Sequence, residues 1–314
     1  MKNVFSGAME PSKSYTEKKA YEPLYEHDGI KLHSPDFVTA LRDAGISNGD
    51  IVFVHSKVSA FGKLLTLDKN FLMNSLVDSI KDAVGKDGTI IMPTFSYSFD
   101  KNEAFDVDKT QSTVGALTEF FRKQEGVLRT SHPNHSVAVY GKRKEYFAAE
   151  SKDTFGKDSL FGKLYDDNGK IVFFGAPFQS CTFVHYIEQM HKVPYRYMKR
   201  FKGKVIVSGS GHDEEISFYC KYSIFFSSFS RLENQLLEKG IMKNAKIGAG
   251  NIMAVGCKDL FDEGYKMLDK DIFSVLKNKP IIFYLFNRLS YPFLKYFPFP
   301  IKFLDKAVSK FLLR

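Results

Sequence analysis

Cysteine is scarce in this chain of 314 residues: Cys181, Cys220 and Cys257 are all it has. Their odd number and wide spacing exclude a disulfide framework and, with no secretory signal ahead of them, fit reduced thiols in a cytoplasm. Long apolar runs are also missing. The run at 281 to 286 is cut by Asn287 and Arg288 and later by Pro292, Pro298 and Pro300, far short of the ~18 residues that a membrane helix needs. There is no Walker loop, zinc knuckle, RRM signature or dense basic stripe beside aromatics, so a nucleic-acid partner is not expected. Acidic residues fall short of basic ones, 36 against 45, and the net charge of +9 favours anionic ligands or surfaces.

What is present is an apolar content of 44% arranged as alternating strand and helix patterns. Short β-branched and aromatic runs at 51 to 54, 88 to 93, 136 to 140, 170 to 174 and 252 to 255 read as strands. Helical spacing predicts helices over 36 to 44, 68 to 84 capped by Asp68, 113 to 123 capped by Thr113, 230 to 237 and 258 to 268. Runs at 204 to 207 and 216 to 219 suggest a hairpin. Gly248 and Gly250 read as a turn. The expected fold is three-layer α/β/α with a mixed central sheet. Its domain spans 34 to 270, behind a loosely packed extension at 1 to 33. Residues 271 to 314 are expected to form a basic aromatic helical tail, in which Arg288, Lys295, Lys302, Lys306, Lys310 and Arg314 of the 281 to 314 stretch are opposed only by Asp305. That composition suits an interfacial segment at the inner membrane surface, or a helix docked on the chain's own core or on a second copy in a homo-oligomer.

The most informative stretch is QSCTFVHYIEQMH at 179 to 191, directly after a buried strand. Steps of three on a helix bring Thr182, His185 and Glu188 along one edge. A carboxylate beside one imidazole nitrogen fixes the tautomer and raises the basicity of the other, the arrangement of a general base. A structural His–Glu pair would have the same spacing. A metal site on His185, Glu188 and His191 is disfavoured, because the two imidazoles point in nearly opposite directions; no metal is expected. Cys181 as a nucleophile is weighed and set below a small buried residue. A non-catalytic basic protein binding membranes or polyanions is the reading of another class.

Six segments in order resemble the aminoglycoside 3-N-acetyltransferase family. They are GDIVFVHSKVSAFG at 49 to 62, GTIIMPTFS at 88 to 96, VGALTEFFR at 114 to 122, GVLRTSHP at 126 to 133 continuing to Ser136, FGKDS at 155 to 159, and the trio. The resemblance implies transfer of an acetyl group from acetyl-CoA to a primary amine on a sugar-like ring, by direct transfer in a ternary complex. It implies His185 as catalytic base, Glu188 as its orienting partner, and Thr182 and His55 as further active-site groups. It places the coenzyme on the loop of His55, Ser56, Lys57, Val58, Ser59 and Gly62, with Thr94, Arg129 and Ser136 beside it and His132 either touching it or shaping a turn. The chain departs from the family pattern at Lys57 and Val58, where serine and leucine are common.

The acceptor follows less directly. Asp106 and Asp108, with Glu188, are the expected substrate-side carboxylates. The basic balance of the chain points to an anionic acceptor, a nucleotide-linked amino sugar of surface polysaccharide synthesis, with an aminoglycoside substrate and antibiotic resistance as the alternative.

Overall fold

The computed structural model describes residues 21–149 and 151–277. Strands β1 (Tyr25–His27) and β2 (Ile30–Leu32) come first, then helix α1 (Ser34–Asp43) and strand β3 (Ile51–Ser56). They are followed by β4 (Lys63–Leu64), α2 (Lys69–Val84), β5 (Thr89–Pro93), β6 (Phe105–Asp106), α3 (Ala116–Phe121), β7 (Leu128–Arg129) and β8 (Val137–Gly141). Next are α4 (Lys144–Ala148), α5 (Leu160–Asp166), β9 (Lys170–Phe174), α6 (Phe183–His191), β10 (Arg196–Val207) and β11 (Ser210–Lys221). Helix α7 (Ser230–Glu238), β12 (Lys243–Ile247), β13 (Gly250–Gly256) and α8 (Cys257–Lys270) close the series.

The central sheet has seven strands in the order β12-β13-β9-β3-β5-β8-β7. Strand β3 runs parallel to β5 and β9, while the outer pairs are antiparallel, so the sheet is mixed as the sequence patterns predicted. Successive side chains of a strand point to opposite faces, and the apolar runs divide accordingly. Phe53, Ile91, Ile171 and Phe173 enter one core, under α4 to α8. Val52, Val54, Ile90, Met92, Val172 and Phe174 enter the other, under α1 to α3. Burial on both faces explains why these strands read as continuous apolar runs rather than alternating ones.

Strands β3 and β9 are parallel neighbours, but β3 leads toward α2 in one layer and β9 toward α6 in the other. Connections that leave adjacent strands for opposite faces open a crevice beyond their carboxyl ends. That crevice is where the conspicuous side chains gather.

A second sheet, β11-β10-β6, is built on a hairpin of two 12-residue strands. Ser208 and Gly209 both have positive φ, 49° and 80°, which suits the tight turn joining them. The strands are longer than the apolar runs at 204 to 207 and 216 to 219 suggest. Only Phe201, Val205 and Ile216 of the hairpin are buried against Phe99 and Phe105, so most of its length is polar and carries no hydrophobic signal.

Three expectations need correction. Residues 24 to 32 are not a loose extension: Leu24 and Tyr25 are fully buried, Tyr25 packs on Phe37 and Phe61, and β1 pairs with β2 and β4. Likewise Ile272, Phe273, Val275 and Leu276 belong to the core rather than to a separate tail. The helix expected from 113 starts only at Ala116, because Thr113 spends its N–H and hydroxyl on the carbonyl of Phe95 and Gly115 takes φ 146°. The rest of the tail expected to be helical, residues 278 to 314, lies outside the described residues. Among the described residues, no helix is long and apolar enough to cross a membrane.

Candidate active site

Strand β9 ends at Phe174, and Gly175 follows with φ 71°, a conformation that L side chains rarely adopt. A Cβ there would meet the Lys57 carbonyl at 2.7 Å and the Ala60 methyl at 2.9 Å, so glycine lets the chain pass the loop after β3. After one short turn at Phe178–Ser180 the chain enters α6. Its Phe183, Val184 and Ile187 are almost wholly buried, each worth roughly 1.5–3 kcal/mol as an apolar anchor. This anchoring leaves His185 on the less buried edge of the helix, with a side chain 24% exposed.

The Nδ1 atom of His185 lies 2.7 Å from Oε2 of Glu188. Glu188 has no solvent exposure and takes further hydrogen bonds from the Tyr195 hydroxyl at 3.0 Å and from Arg196 Nη2 at 2.8 Å. Burial alone would push this carboxyl up, but Arg196 and His185 outweigh it and hold it down at about 2. Glu188 is therefore a fixed anion. The imidazole of His185 is also shifted down: burial lowers its pKa, the Arg196 charge lowers it further, and Glu188 opposes both. At neutral pH it is an uncharged ring with a carboxylate on one nitrogen.

His55 ends β3 on the same face as Phe53, a consequence of strand alternation. Its ring stacks on Phe173, and Nε2 accepts the backbone N–H of Thr182 at 3.4 Å. Burial pushes its pKa to about 3, so it stays neutral and receives one of the donors that a helix start leaves unpaired. The Thr182 hydroxyl donates to the Ser180 carbonyl at 3.4 Å, and the residue stands just before α6. Both residues thus set the position of α6.

Cys181 is completely buried, and burial raises its thiol to about 12 although the nearby backbone N–H groups of Phe183 and Val184 oppose the rise. A thiol so placed is a small buried side chain and no nucleophile at neutral pH. His191 turns away from His185 and pairs with Asp269 of α8 at 2.9 Å. Among the described residues no cluster of His, Cys, Asp and Glu could hold a metal ion.

Comparison with known proteins decides the class. The family profile described as aminoglycoside 3-N-acetyltransferase matches residues 53–269. The chain belongs to the aminoglycoside 3-N-acetyltransferase family. It is thereby an acyltransferase.

Among relatives of this family, an SPbeta prophage-derived aminoglycoside N(3')-acetyltransferase-like protein of Bacillus subtilis is 27% identical over 235 residues, covering 67% of this chain and 83% of that one. The aminoglycoside N(3)-acetyltransferase IX of Micromonospora chalcea is 23% identical over 271 residues, covering 77% and 92%. In structure the chain is similar to AAC-IIIb in a binary complex with CoASH, with a TM-score of 0.67, 23% identity, and coverage of 79% of this chain and 99% of that one. Sisomicin-bound AAC-VIa has a TM-score of 0.66 at 23% identity and covers 76% and 98%. These likenesses establish the fold.

Several residues expected beside the coenzyme have their polar atoms engaged within the protein. The hydroxyls of Thr94 and Ser136 lie 3.0 Å apart and both residues are fully buried, forming a cross-strand pair where β5 leads out beside β8. The guanidinium of Arg129 donates to the Thr94 hydroxyl and to the carbonyls of Thr94, Val107 and Thr110, which ties down the 94 to 115 loop. His132 is a turn residue: Nδ1 accepts the N–H groups of Asn134 and His135, leaving Nε2 to donate to Thr154.

The expected acceptor carboxylates do not face the base either. Oδ1 of Asp106 receives the N–H groups of Asp108 and Lys109, a local turn cap. Asp106 pairs with Ile206 on β10, and Arg196 at the start of the same strand touches His185. About 33 Å of extended strand separates those two register positions. Glu188 has no exposure, and its oxygens are engaged by His185, Arg196 and Tyr195.

The loop after β3 is different. Lys57 is exposed, and the hydroxyl of Ser56 is a buried polar atom with no partner. The loop is held from behind, where the Lys57 N–H donates to Phe174 and the Val58 carbonyl accepts from Tyr25. Gly62, at φ 133°, sits against the Glu26 backbone where a Cβ would collide.

Arg196 and Tyr195 complete the carboxylate's shell and were not singled out from the sequence. They sit in VPYRYMKR, a basic stretch with no spacing relation to the trio.

Proposed function

We propose that the chain transfers the acetyl group of acetyl-CoA to the 3-amino group of an aminoglycoside, with His185 as general base. The observation that carries this reading is the His185–Glu188 contact of 2.7 Å at the start of the helix that follows β9, with the carboxylate wholly buried and the imidazole 24% exposed. Acetyl-CoA as co-substrate follows from the family, and the loop of Ser56, Lys57, Val58, Ser59 and Gly62 is the segment that suits it. The unpartnered Ser56 hydroxyl and the exposed Lys57 ammonium supply the polar groups.

The chemistry balances as a single displacement at the acyl carbon. The acceptor ammonium releases one proton to solvent, and as the free amine attacks the thioester carbonyl the imidazole takes a second proton from the attacking nitrogen. A C–N bond forms, a tetrahedral oxyanion follows, and its collapse breaks the C–S bond. The imidazolium returns the proton to the departing thiolate, which leaves as the thiol. Glu188 stabilises the imidazolium while it exists and keeps the ring oriented throughout.

The relatives favour an aminoglycoside over the nucleotide-linked amino sugar that the charge balance suggests. The charge argument also weakens on inspection. Six of the nine net positive charges fall in residues 271 to 314, where eight Lys and Arg meet two acidic residues. The part that carries the site is nearly balanced.

Thiol release by purified protein, measured with gentamicin- and sisomicin-type aminoglycosides and with nucleotide-linked amino sugars, tests the proposal. Turnover of the aminoglycosides, lost in His185→Ala, is expected. Turnover of nucleotide amino sugars alone would overturn the acceptor, and an active His185→Ala would overturn the base.

A further inference from the structure

Arg196 meets both members of the His185–Glu188 pair. Its side chain is 3% exposed, and Nη2 lies 2.9 Å from Nδ1 of His185 and 2.8 Å from Oε2 of Glu188, while Nη1 donates to the Tyr219 carbonyl at 3.0 Å. An imidazole nitrogen can donate to the carboxylate or accept from the guanidinium, but not both. The distances decide between them. A bare Nδ1 would set its lone pair against a carboxylate oxygen at 2.7 Å, an arrangement that only a shared proton makes favourable. Nδ1 therefore carries the hydrogen and Nε2 is the free, basic nitrogen. Arg196 then sits beside an N–H it cannot bond, and its placement makes sense through the carboxylate that it holds and the charge that it brings near the ring.

We propose that Arg196 is a positioning residue of the transferase reaction, clamping Glu188 so that His185 stays in the Nδ1–H tautomer and opposing protonation of the resting ring. This rests on His185 being the base. The groups facing the imidazole are Glu188 on its own helix, Arg196 at the start of β10, Lys221 at the end of β11, and neutral His135 ahead of β8. The rings of Phe155 and Phe229 lie edge-on beside it. Of the two cations, only Arg196 also binds the carboxylate. A guanidinium suits the task because it cannot lose its charge and offers two donors at a fixed angle.

The test compares pH profiles of kcat/KM for wild type, Arg196→Lys and Arg196→Gln, with histidine ¹⁵N spectra of the wild type. Removing the charge should raise the acidic limb, since the ring then protonates more readily. Arg196→Gln should therefore shift that limb to higher pH and lower kcat by about 10²-fold, with KM for acetyl-CoA unchanged. Arg196→Lys should keep the limb near its wild-type position while losing part of kcat. In the unsubstituted protein the His185 signal, assigned by its loss in His185→Ala, should show a protonated Nδ1 and a bare Nε2 at neutral pH. That spectrum keeps the inference testable if Arg196→Gln fails to fold. An Nε2–H tautomer, or a limb that stays put in Arg196→Gln, sinks the role of Arg196 while leaving His185 as base. Full activity in His185→Ala would instead remove the reading on which it rests.

Discussion

The imidazole of His55, at the end of β3, accepts the backbone N–H of Thr182, which immediately precedes α6. The strand that ends the sheet's centre thus seats the helix that carries His185. His55→Ala would leave that N–H unpaired and a void beside Phe173, for a cost of about 2–4 kcal/mol. His55→Gln, which can offer an acceptor near the same place, should recover part of both stability and turnover. Urea unfolding and kcat measured on the two variants check this. Equal behaviour of alanine and glutamine would mean that the hydrogen bond contributes nothing.

Cys181 should be dispensable for chemistry. Cys181→Ser keeps a small side chain at a wholly buried position and removes the thiol. Turnover within about twofold of wild type is expected. Intact-mass spectra of the enzyme mixed with acetyl-CoA should show no acetylated protein. An acetyl adduct lost in Cys181→Ser would reinstate a covalent route.

Replacing Arg129 separates a structural from a coenzyme role. Arg129→Ala removes the donor for the carbonyls of Thr94, Val107 and Thr110 at once and should cost about 3 kcal/mol or more. KM for acetyl-CoA should stay near its wild-type value in the fraction that folds. A large rise in that KM with unchanged stability would point to contact with the coenzyme instead.

Acid should destabilise the protein earlier than carboxylate titration alone would. Burial pushes His55 to about 3 and His132 to about 4, and holds His135 well below 6.5, so the unfolded chain takes up these protons first. Their contribution is complete above about pH 6.5 and is lost as pH falls toward the folded values. With three imidazoles engaged, the slope reaches roughly 4 kcal/mol per pH unit near pH 5. Glu188, held at about 2, adds a loss of the same sign below the usual carboxylate range. Unfolding free energies from urea titrations between pH 7 and 4.5 provide the check; a flat profile contradicts it.

The central strands were legible because burial on both faces leaves an unbroken apolar run, and the His185–Glu188 pair because a helix turns spacing into proximity. What escaped was set by burial and long-range pairing. Thr94, Arg129 and Ser136 lie in segments that match the family, yet their polar atoms are consumed by one another and by the 94 to 115 loop. The carboxylates at Asp106 and Asp108 look available in a line of text, but the register of β6 on β10 carries them away from the base. Arg196 reaches Glu188 only because the chain reverses after α6, where Lys192 takes a left-handed conformation. No local pattern announces that turn.

The division of Phe53 and Ile171 to one core and Val52 and Val172 to the other also bears on how such a chain can change over generations. One residue inserted into β3 or β9 would exchange the contents of the two layers and turn His55 away from α6. Insertions and deletions are thus barred from the middle of the sheet and confined to its borders, the long hairpin and the chain ends, so lineages can remodel what surrounds the crevice while its floor keeps a fixed length.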